Sequence, residues 1–281
     1  MSTGTDLSPE TTFMIDFNAH WVPAAQGLDV PPVAAAAIHN ITEAQFSAYL
    51  ARVEKEVNDT AAGLLGEPDM AQTIGNLPIP QDGTLMAIGD SITTYRFGYA
   101  RLLQAMFTLR RPNDALRFLN VAQSGYTSTH GLENTYSQFL GYQPDWVFIM
   151  FGANDCKRFG GSQAKTLVSP AEYRHNMTGL VEAFMNFTAA RLVLLTPCPV
   201  IEVVVNHNPD FAAMRMTWDN ANIQACAEVV RELAGRHELP LVDLMDAFGT
   251  EPDPALYLPD GLHPGPEGHR LIVERVVAAL G

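Results

Sequence analysis

The sequence has few basic side chains, few cysteines and no long apolar run, and each shortage argues against a class of function. Lysine and arginine total 17 against 31 aspartate and glutamate residues, so the formal net charge is −14. A chain this acidic repels phosphate backbones and anionic membrane surfaces, so we expect neither nucleic acid nor a membrane as a partner. The 47% hydrophobic content over 281 residues supports a large packed core and argues against a disordered chain.

The three cysteines, Cys156, Cys198 and Cys226, are odd in number and widely spaced, which matches neither a disulfide framework nor a zinc site. The first basic residue is Arg52, so the beginning of the chain lacks the positively charged region of a secretory signal. Apolar runs such as 146–151 have the length of a strand, not that of a membrane-spanning helix. These features predict a cytoplasmic protein that works without a metal or another cofactor.

Residues 1–83 differ in pattern from the rest of the chain and are predicted to form a largely helical extension. Thr42 and Gln45 form a candidate capping box, which predicts the start of a helix. Apolar residues then recur at helical spacing at Phe46, Leu50, Val53, Val57, Ala61 and Leu64. The stretch 75–83, which contains two prolines, is typical of a linker to the next domain.

Alternating strand and helix patterns begin at residue 84 and predict one α/β domain over 84–281. Short apolar runs predict five strands, at 85–88, 117–122, 146–151, 191–196 and 239–244. Helical patterns lie at 95–107, 170–189, 218–236 and 267–280. Such alternation predicts a parallel sheet covered by helices on both faces, with ligands bound at the carboxyl ends of the strands.

A first polar motif, at 89–93, follows the first predicted strand directly. Gly89 allows a tight turn, and Ser91 then stands at a helix start, where its backbone N–H has no helical acceptor. These properties suit a nucleophile with an oxyanion donor beside it. The alternative is that Asp90 and Ser91 only cap the helix.

A second motif, at 120–125, follows the second predicted strand. Its last residue, Gly125, can present a backbone N–H to a ligand without a side chain in the way. Taken alone, the motif favours the simpler alternative of a turn glycine.

A third motif, at 152–155, follows the most apolar of the predicted strands. Asn154 can offer its side-chain N–H to a developing negative charge. The alternative is an Asx turn, which Asn and Asp form readily.

A fourth motif, at 260–264, precedes the closing helix. Asp260 lies three residues before His263, so its carboxylate can hold one ring nitrogen protonated and leave the other nitrogen free as a base. The alternative is a loop histidine without a chemical role, since the chain has eight histidines.

Together, in this order and at these spacings, the four motifs resemble those of the SGNH hydrolases, also called GDSL esterases and lipases. That family is named for a Ser, a Gly, an Asn and a His in four sequence blocks, and the resemblance covers residues 84–281. It implies a flavodoxin-like three-layer α/β/α fold. It also implies a triad of Ser91, Asp260 and His263, and an oxyanion hole formed by Ser91, Gly125 and Asn154.

The function that this resemblance implies is hydrolysis of small carboxylic esters, with acetyl or short-chain acyl groups, through an acyl-enzyme. Acyl transfer and thioester hydrolysis on the same triad stay open. A metal-dependent phosphohydrolase would need an Asp-x-His motif after the first strand, which the chain lacks. A non-catalytic binding module would have no reason to keep every catalytic residue type.

Compact members of the family begin almost at the nucleophile, whereas roughly 80 residues precede it here. Two interpretations of this extension are open. It packs on its own domain, or its aromatic residues Phe13, Phe17 and Trp21 dock on a second subunit and shape that subunit's active site. We favour the second interpretation, a homo-oligomer.

Several other polar residues near the motifs are not assigned to catalysis. We expect Asp90 and Asp155 to make loop hydrogen bonds and His269 to be structural, while His130 is assigned to the pocket or to the surface. The long stretch 200–217 is interpreted as a specificity loop or lid.

Overall fold

The computed structural model describes residues 7–17 and 30–281, and its centre is a five-stranded parallel sheet. The strands of these residues are β1 (Thr84–Gly89), β2 (Arg117–Asn120), β3 (Trp146–Met150), β4 (Arg158–Phe159), β5 (Arg191–Leu195), β6 (Met216–Thr217) and β7 (Leu241–Val242). The large sheet has the order β2-β1-β3-β5-β7 with every neighbouring pair parallel. This is the strand order of a flavodoxin-like sheet, so the predicted fold class is confirmed.

Helices flank this sheet and also make up most of the described N-terminal region. They are α1 (Pro9–Phe17), α2 (Pro32–Ile38), α3 (Glu43–Leu64), α4 (Pro68–Asn76), α5 (Ser91–Thr94), α6 (Tyr99–Arg110), α7 (Ser128–Ser137), α8 (Pro170–Phe187), α9 (Glu202–Val205), α10 (Pro209–Ala213), α11 (Asn220–His237), α12 (Leu244–Phe248) and α13 (Pro266–Leu280). Two 3₁₀ turns span Phe139–Tyr142 and Pro254–Leu256. Within 7–17 and 30–281, no helix combines the length and apolar content needed to cross a membrane.

The central strands bury both of their faces, which explains their uninterrupted apolar sequences. Along β1, Leu85 and Ala87 belong to one buried cluster, whereas Met86 and Ile88 belong to another on the opposite face. The first cluster includes residues of α3, α4, α6 and α13, and the second includes residues of α8 and α11. Because successive side chains of a strand point to opposite faces, a strand between two helical layers must be apolar at every position.

Helices α3 and α4 of the N-terminal region pack into this core. The predicted capping box at the start of α3 is confirmed: the Gln45 N–H donates to Thr42 Oγ1, and the Thr42 N–H donates to Gln45 Oε1. Val57 and Leu64 of α3 are buried in the same cluster as Leu102 of α6. The second half of the apolar stripe seen in the sequence therefore faces the α/β core of its own chain, whereas Phe46 in the first half is buried against residues of α1 and α2.

Most predicted elements differ from the structure by no more than two residues at either end, but one helix, the last strand and one predicted loop differ clearly. The helix predicted from residue 95 starts at Tyr99, because 95–98 form a turn in which the Gly98 N–H donates to the Tyr95 carbonyl. The strand predicted at 239–244 is shortened to Leu241–Val242, since Pro240 has no N–H and Asp243 caps α12. The stretch 200–217 is not one long loop but contains α9, α10 and β6, which pairs antiparallel with β4.

Candidate active site

Ser91 stands at the carboxyl end of β1, where the strand turns directly into α5. At position 89, two residues before it, only glycine fits, because a Cβ there would lie 2.3 Å from Thr93 Oγ1 and 2.7 Å from the Met150 carbonyl oxygen. Asp90 caps α5 by accepting the Ile92 N–H at 3.0 Å, so Ser91 is the first helical residue. Its N–H has no acceptor among the described residues, as expected for the first turn of a helix.

The side chains of Ser91 and His263 meet although they lie 172 positions apart in the chain. His263 Nε2 is 2.9 Å from Ser91 Oγ, and both residues are buried. On the other edge of the ring, His263 Nδ1 is 2.6 Å from Asp260 Oδ2. The three predicted triad residues therefore form one continuous chain of hydrogen-bonding atoms.

Asp260 is held by its own loop as well as by the imidazole. Its Oδ1 accepts the backbone N–H groups of Leu262, at 2.9 Å, and His263, at 3.0 Å. Burial raises the pKa of Asp260, but the charge of His263 and the hydrogen bonds to the carboxylate outweigh burial and hold the pKa below its usual range. An ionised Asp260 accepts a hydrogen bond from Nδ1–H, which leaves the Nε2 lone pair facing the serine hydroxyl.

Asn154 lies beside the nucleophile loop, with both ends of its side-chain amide engaged. Its Nδ2 donates to Asp90 Oδ2 across a long 3.4 Å, and its Oδ1 accepts from Lys157 Nζ at 3.1 Å. The ammonium thus orients the amide with its N–H toward the loop that carries Ser91. Lys157 had no role in the sequence analysis, and its position three residues after Asn154 was the only signal available.

Gly125 occupies an exposed turn with φ +83, a conformation that favours glycine. The turn is tied to the nucleophile loop, because the Gln123 N–H donates to the Gly89 carbonyl at 3.2 Å. Within the described ranges the Gly125 N–H has no acceptor. The structure therefore places Gly125 in a loop next to the β1 end, with a backbone donor available.

Asp90 and Asp155 make the loop hydrogen bonds expected of them. Asp155 Oδ1 accepts the Ser128 N–H at 3.0 Å, and the Ser128 hydroxyl also donates to it. Burial raises the pKa of Asp90 and of Asp155 to about 6 each, against the opposing effect of the hydrogen bonds that they accept. Both carboxylates thus brace the loops that carry the site.

His269 and His130 lie outside the chain of contacts between Ser91 and Asp260. His269 is buried and accepts the Tyr99 N–H through Nδ1 at 3.1 Å, which confirms its structural assignment. Burial lowers its pKa to about 3, so the ring stays neutral. His130 is exposed, forms a capping box with Thr127 and stacks on Tyr126.

Helix α1 contacts the His263 ring, although sequence patterns alone left its placement open. The Phe17 ring lies 4.5 Å from the His263 ring between centroids, and the Phe13 ring lies 5.8 Å from it. Both contacts are made within one chain, whereas the favoured expectation had these aromatics on a second subunit. Trp21, the third aromatic of that expectation, lies outside the described residues.

A cavity of about 630 Å³ lies between α3, α6 and the edge strand β2. Its described lining includes Thr94 and Arg96 but neither Ser91 nor His263. This cavity therefore borders the nucleophile loop from behind and does not contain the serine hydroxyl.

Comparisons with known proteins point to one enzyme family. Residues 87–271 match the GDSL-like Lipase/Acylhydrolase family. A GDSL esterase/lipase, WDL1, of Oryza sativa subsp. japonica is 23% identical over 212 residues, which cover 74% of this chain and 81% of that protein. An isoamyl acetate-hydrolyzing esterase of Schizosaccharomyces pombe is 26% identical over 202 residues, which cover 70% of this chain and 74% of that protein.

Among solved structures, the similarity includes LAE5, described as an alpha/beta hydrolase enzyme from the metagenome of Lake Arreo, Spain. The two chains superpose with a TM-score of 0.57 at 28% sequence identity, over 72% of this chain and 97% of LAE5. The shared region corresponds to the α/β part of the fold in size. From the family match, the relatives and the fold, this chain belongs to the GDSL-like lipase/acylhydrolase family and is an ester-hydrolysing enzyme.

Proposed function

We propose that the enzyme hydrolyses small carboxylic esters through an acyl-enzyme formed on Ser91. The observation that carries the proposal is the continuous contact from Ser91 Oγ through the His263 ring to Asp260, at 2.9 and 2.6 Å. A serine hydroxyl is a weak nucleophile at neutral pH and needs a base within hydrogen-bond reach. His263 Nε2 supplies that base, and Asp260 holds the ring in the required tautomer.

In the first half of the reaction, His263 Nε2 takes the Ser91 proton as Oγ forms a bond to the ester carbonyl carbon. The carbonyl oxygen becomes an oxyanion, and the free backbone N–H of Ser91, that of Gly125 and the Asn154 amide are its donors in this proposal. When the intermediate collapses, the bond to the alcohol oxygen breaks, and His263 returns the proton to that oxygen.

Water completes the second half by the same route. His263 accepts a proton from water as the hydroxide attacks the acyl carbon, and then returns the proton to Ser91 Oγ as the acid leaves. An alcohol in place of water gives acyl transfer, and a thiol leaving group gives thioester hydrolysis. Both reactions are alternatives that would use the same catalytic groups.

An acetyl or short acyl group is the substrate we infer. The Ser91 residue is only 9% exposed, so little open surface surrounds the hydroxyl. The relative from Schizosaccharomyces pombe is an isoamyl acetate-hydrolyzing esterase, and that name supports acetate esters as the first class to examine. A cytoplasmic location and a homo-oligomer remain predictions, the latter accessible to light scattering on the full chain.

The test combines active-site labelling with a substrate panel. A fluorophosphonate probe should label wild type and leave Ser91→Ala unlabelled, and a chelator should not reduce activity. p-Nitrophenyl esters of increasing acyl length, together with acetylated sugars and a thioester, should give the highest kcat/KM with acetyl or another short acyl group. Equal ester hydrolysis by wild type and Ser91→Ala would reject the proposal, and loss of activity with chelator would favour a metal-dependent phosphohydrolase.

A further inference from the structure

Helix α1 contacts three of the loops that carry the proposed chemistry. Its last residue, Phe17, packs on the His263 ring at 4.5 Å and stacks on Tyr95, just after the nucleophile helix, at 4.7 Å. The Ser124 hydroxyl, next to Gly125, donates to the Phe17 carbonyl. One short segment therefore lies against the base loop, the nucleophile loop and the loop of a proposed oxyanion donor.

Buried polar contacts hold α1 in this place. Asp16 is buried, and its Oδ1 accepts the Tyr49 hydroxyl at 2.7 Å. The Arg96 side chain donates to the Ile15 carbonyl at 3.0 Å, and the Arg96 N–H donates to the Asp16 carbonyl at 3.2 Å. Ile15 itself is fully buried against residues of α2 and α3. Such contacts are those of a fixed wall of the site.

The two phenylalanines of α1 differ in exposure, and the difference assigns them different tasks. Phe17 is buried between His263 and Tyr95, so it positions the imidazole. Phe13, one helical turn earlier, packs on Phe17 at 4.6 Å and approaches the His263 ring edge-on, yet it is 39% exposed. An aromatic ring that touches both the base and solvent is placed to meet a bound molecule.

The proposed reaction determines which half of the ester substrate would contact Phe13. His263 Nε2 must hand its proton to the leaving alcohol oxygen, so that oxygen comes within hydrogen-bond reach of the imidazole. Groups that pack around the imidazole therefore border the alcohol half of the ester. The carbonyl oxygen of the acyl half is turned toward the oxyanion donors instead.

We infer that Phe13 is a specificity-determining residue on the alcohol side of the site, and that the substrates are short-chain esters of apolar alcohols. This inference rests on the proposed function. A ring contact of this kind favours an alkyl or aryl alcohol over a small one by excluding water from its apolar surface. Phe17 acts behind it as a positioning residue for His263.

The experiment keeps the acyl group constant and varies only the alcohol. Wild type, Phe13→Ala, Phe13→Leu and the control Met14→Ala are assayed by pH-stat on ethyl, butyl, hexyl and benzyl acetate. Met14 lies on the same helix and is 51% exposed, so its truncation matches that of Phe13 in site and size. We expect wild type kcat/KM to rise with the apolar surface of the alcohol. Phe13→Ala should lose about tenfold on hexyl and benzyl acetate and little on ethyl acetate.

The remaining variants complete the pattern. Phe13→Leu should keep part of the preference, and Met14→Ala should keep the wild type profile. An active wild type without preference among the four alcohols, or a Phe13→Ala variant that loses ethyl and hexyl acetate equally, overturns this inference alone. Wild type activity on these esters no greater than that of Ser91→Ala overturns the proposed function, and this inference with it.

Discussion

The side-chain oxygen of Asn154 accepts a hydrogen bond from the partly buried ammonium of Lys157 at 3.1 Å. This contact determines which end of the amide faces the nucleophile loop, because the ammonium can only donate. It also withdraws electron density from the amide, which makes the N–H a stronger donor to an oxyanion. We therefore propose Lys157 as a positioning residue for Asn154, whose amide is itself a proposed oxyanion donor.

Replacing Lys157 should impair turnover through Asn154. We expect Lys157→Met to lower kcat about tenfold, the effect of losing one hydrogen bond to a charged group, with KM little changed. Asn154→Ala should cost about 10²–10³ in kcat, and adding Lys157→Met to it should cost little more. Steady-state kinetics on an acetate ester measure all three, and Lys165→Met provides an exposed lysine as the control. Additive losses in the double variant would contradict the coupling.

Asp260 gives a test of the histidine tautomer. Asp260→Asn keeps the shape of the side chain but can donate to Nδ1, which stabilises the tautomer in which Nε2 carries the proton and no longer serves as a base. We expect kcat to fall by about 10⁴, close to the loss in serine hydrolases when this carboxylate becomes an amide. Single-turnover acylation measures the step directly. Glu267→Gln, at an exposed carboxylate in the first turn of α13, should match wild type. A kcat for Asp260→Asn within tenfold of wild type would remove Asp260 from the mechanism.

Asp16, which anchors α1, should make stability depend on pH. Burial raises the pKa of Asp16 to about 6 from 3.8, although the Tyr49 hydroxyl and the charge of Arg96 oppose the shift. The folded chain therefore binds this proton more tightly than the unfolded chain, and its contribution to stability declines as pH rises from about 4 to about 6. Above that range the cost of the buried carboxylate is fully present.

The variant Asp16→Asn removes this titration and keeps an oxygen that can accept from Tyr49. We expect the variant to gain stability relative to wild type as the pH rises from about 4.5 to about 7.5. Urea denaturation measures the free energy of unfolding of both proteins at each pH. Asp90 and Asp155 titrate in both proteins and cancel in the difference. A pH-independent difference would show that Asp16 titrates alike in the folded and unfolded chains.

Leu64 tests whether the N-terminal helices are part of the main core. It is almost fully buried in the cluster that contains Leu102 and Val276. We expect Leu64→Ala to lower the free energy of unfolding by about 2–5 kcal/mol, with one transition for the whole chain. Ile38→Ala, at a residue that is 65% exposed, should change it by less than about 0.5 kcal/mol. A separate early transition confined to α3 would instead make the extension an independent unit.

Much of this enzyme is determined by the sequence alone, because local patterns carry it. Apolar runs of strand length between amphipathic helices predict the parallel sheet, and the capping box of Thr42 and Gln45 marks the beginning of α3. The motif around Ser91 and the pair Asp260 and His263 can also be recognised from short stretches of sequence. Turns at strand ends and an i, i+3 carboxylate–histidine pair leave signatures within a few residues.

Tertiary structure alone decided which distant groups touch. No periodicity brings Phe13 and Phe17 onto His263, since about 250 residues separate them in the chain and the contact depends on how α1 docks. The orientation of the Asn154 amide likewise depends on the fold of the loop that returns Lys157 to it. Patterns record which face of an element is apolar, whereas packing between elements selects the partner of that face.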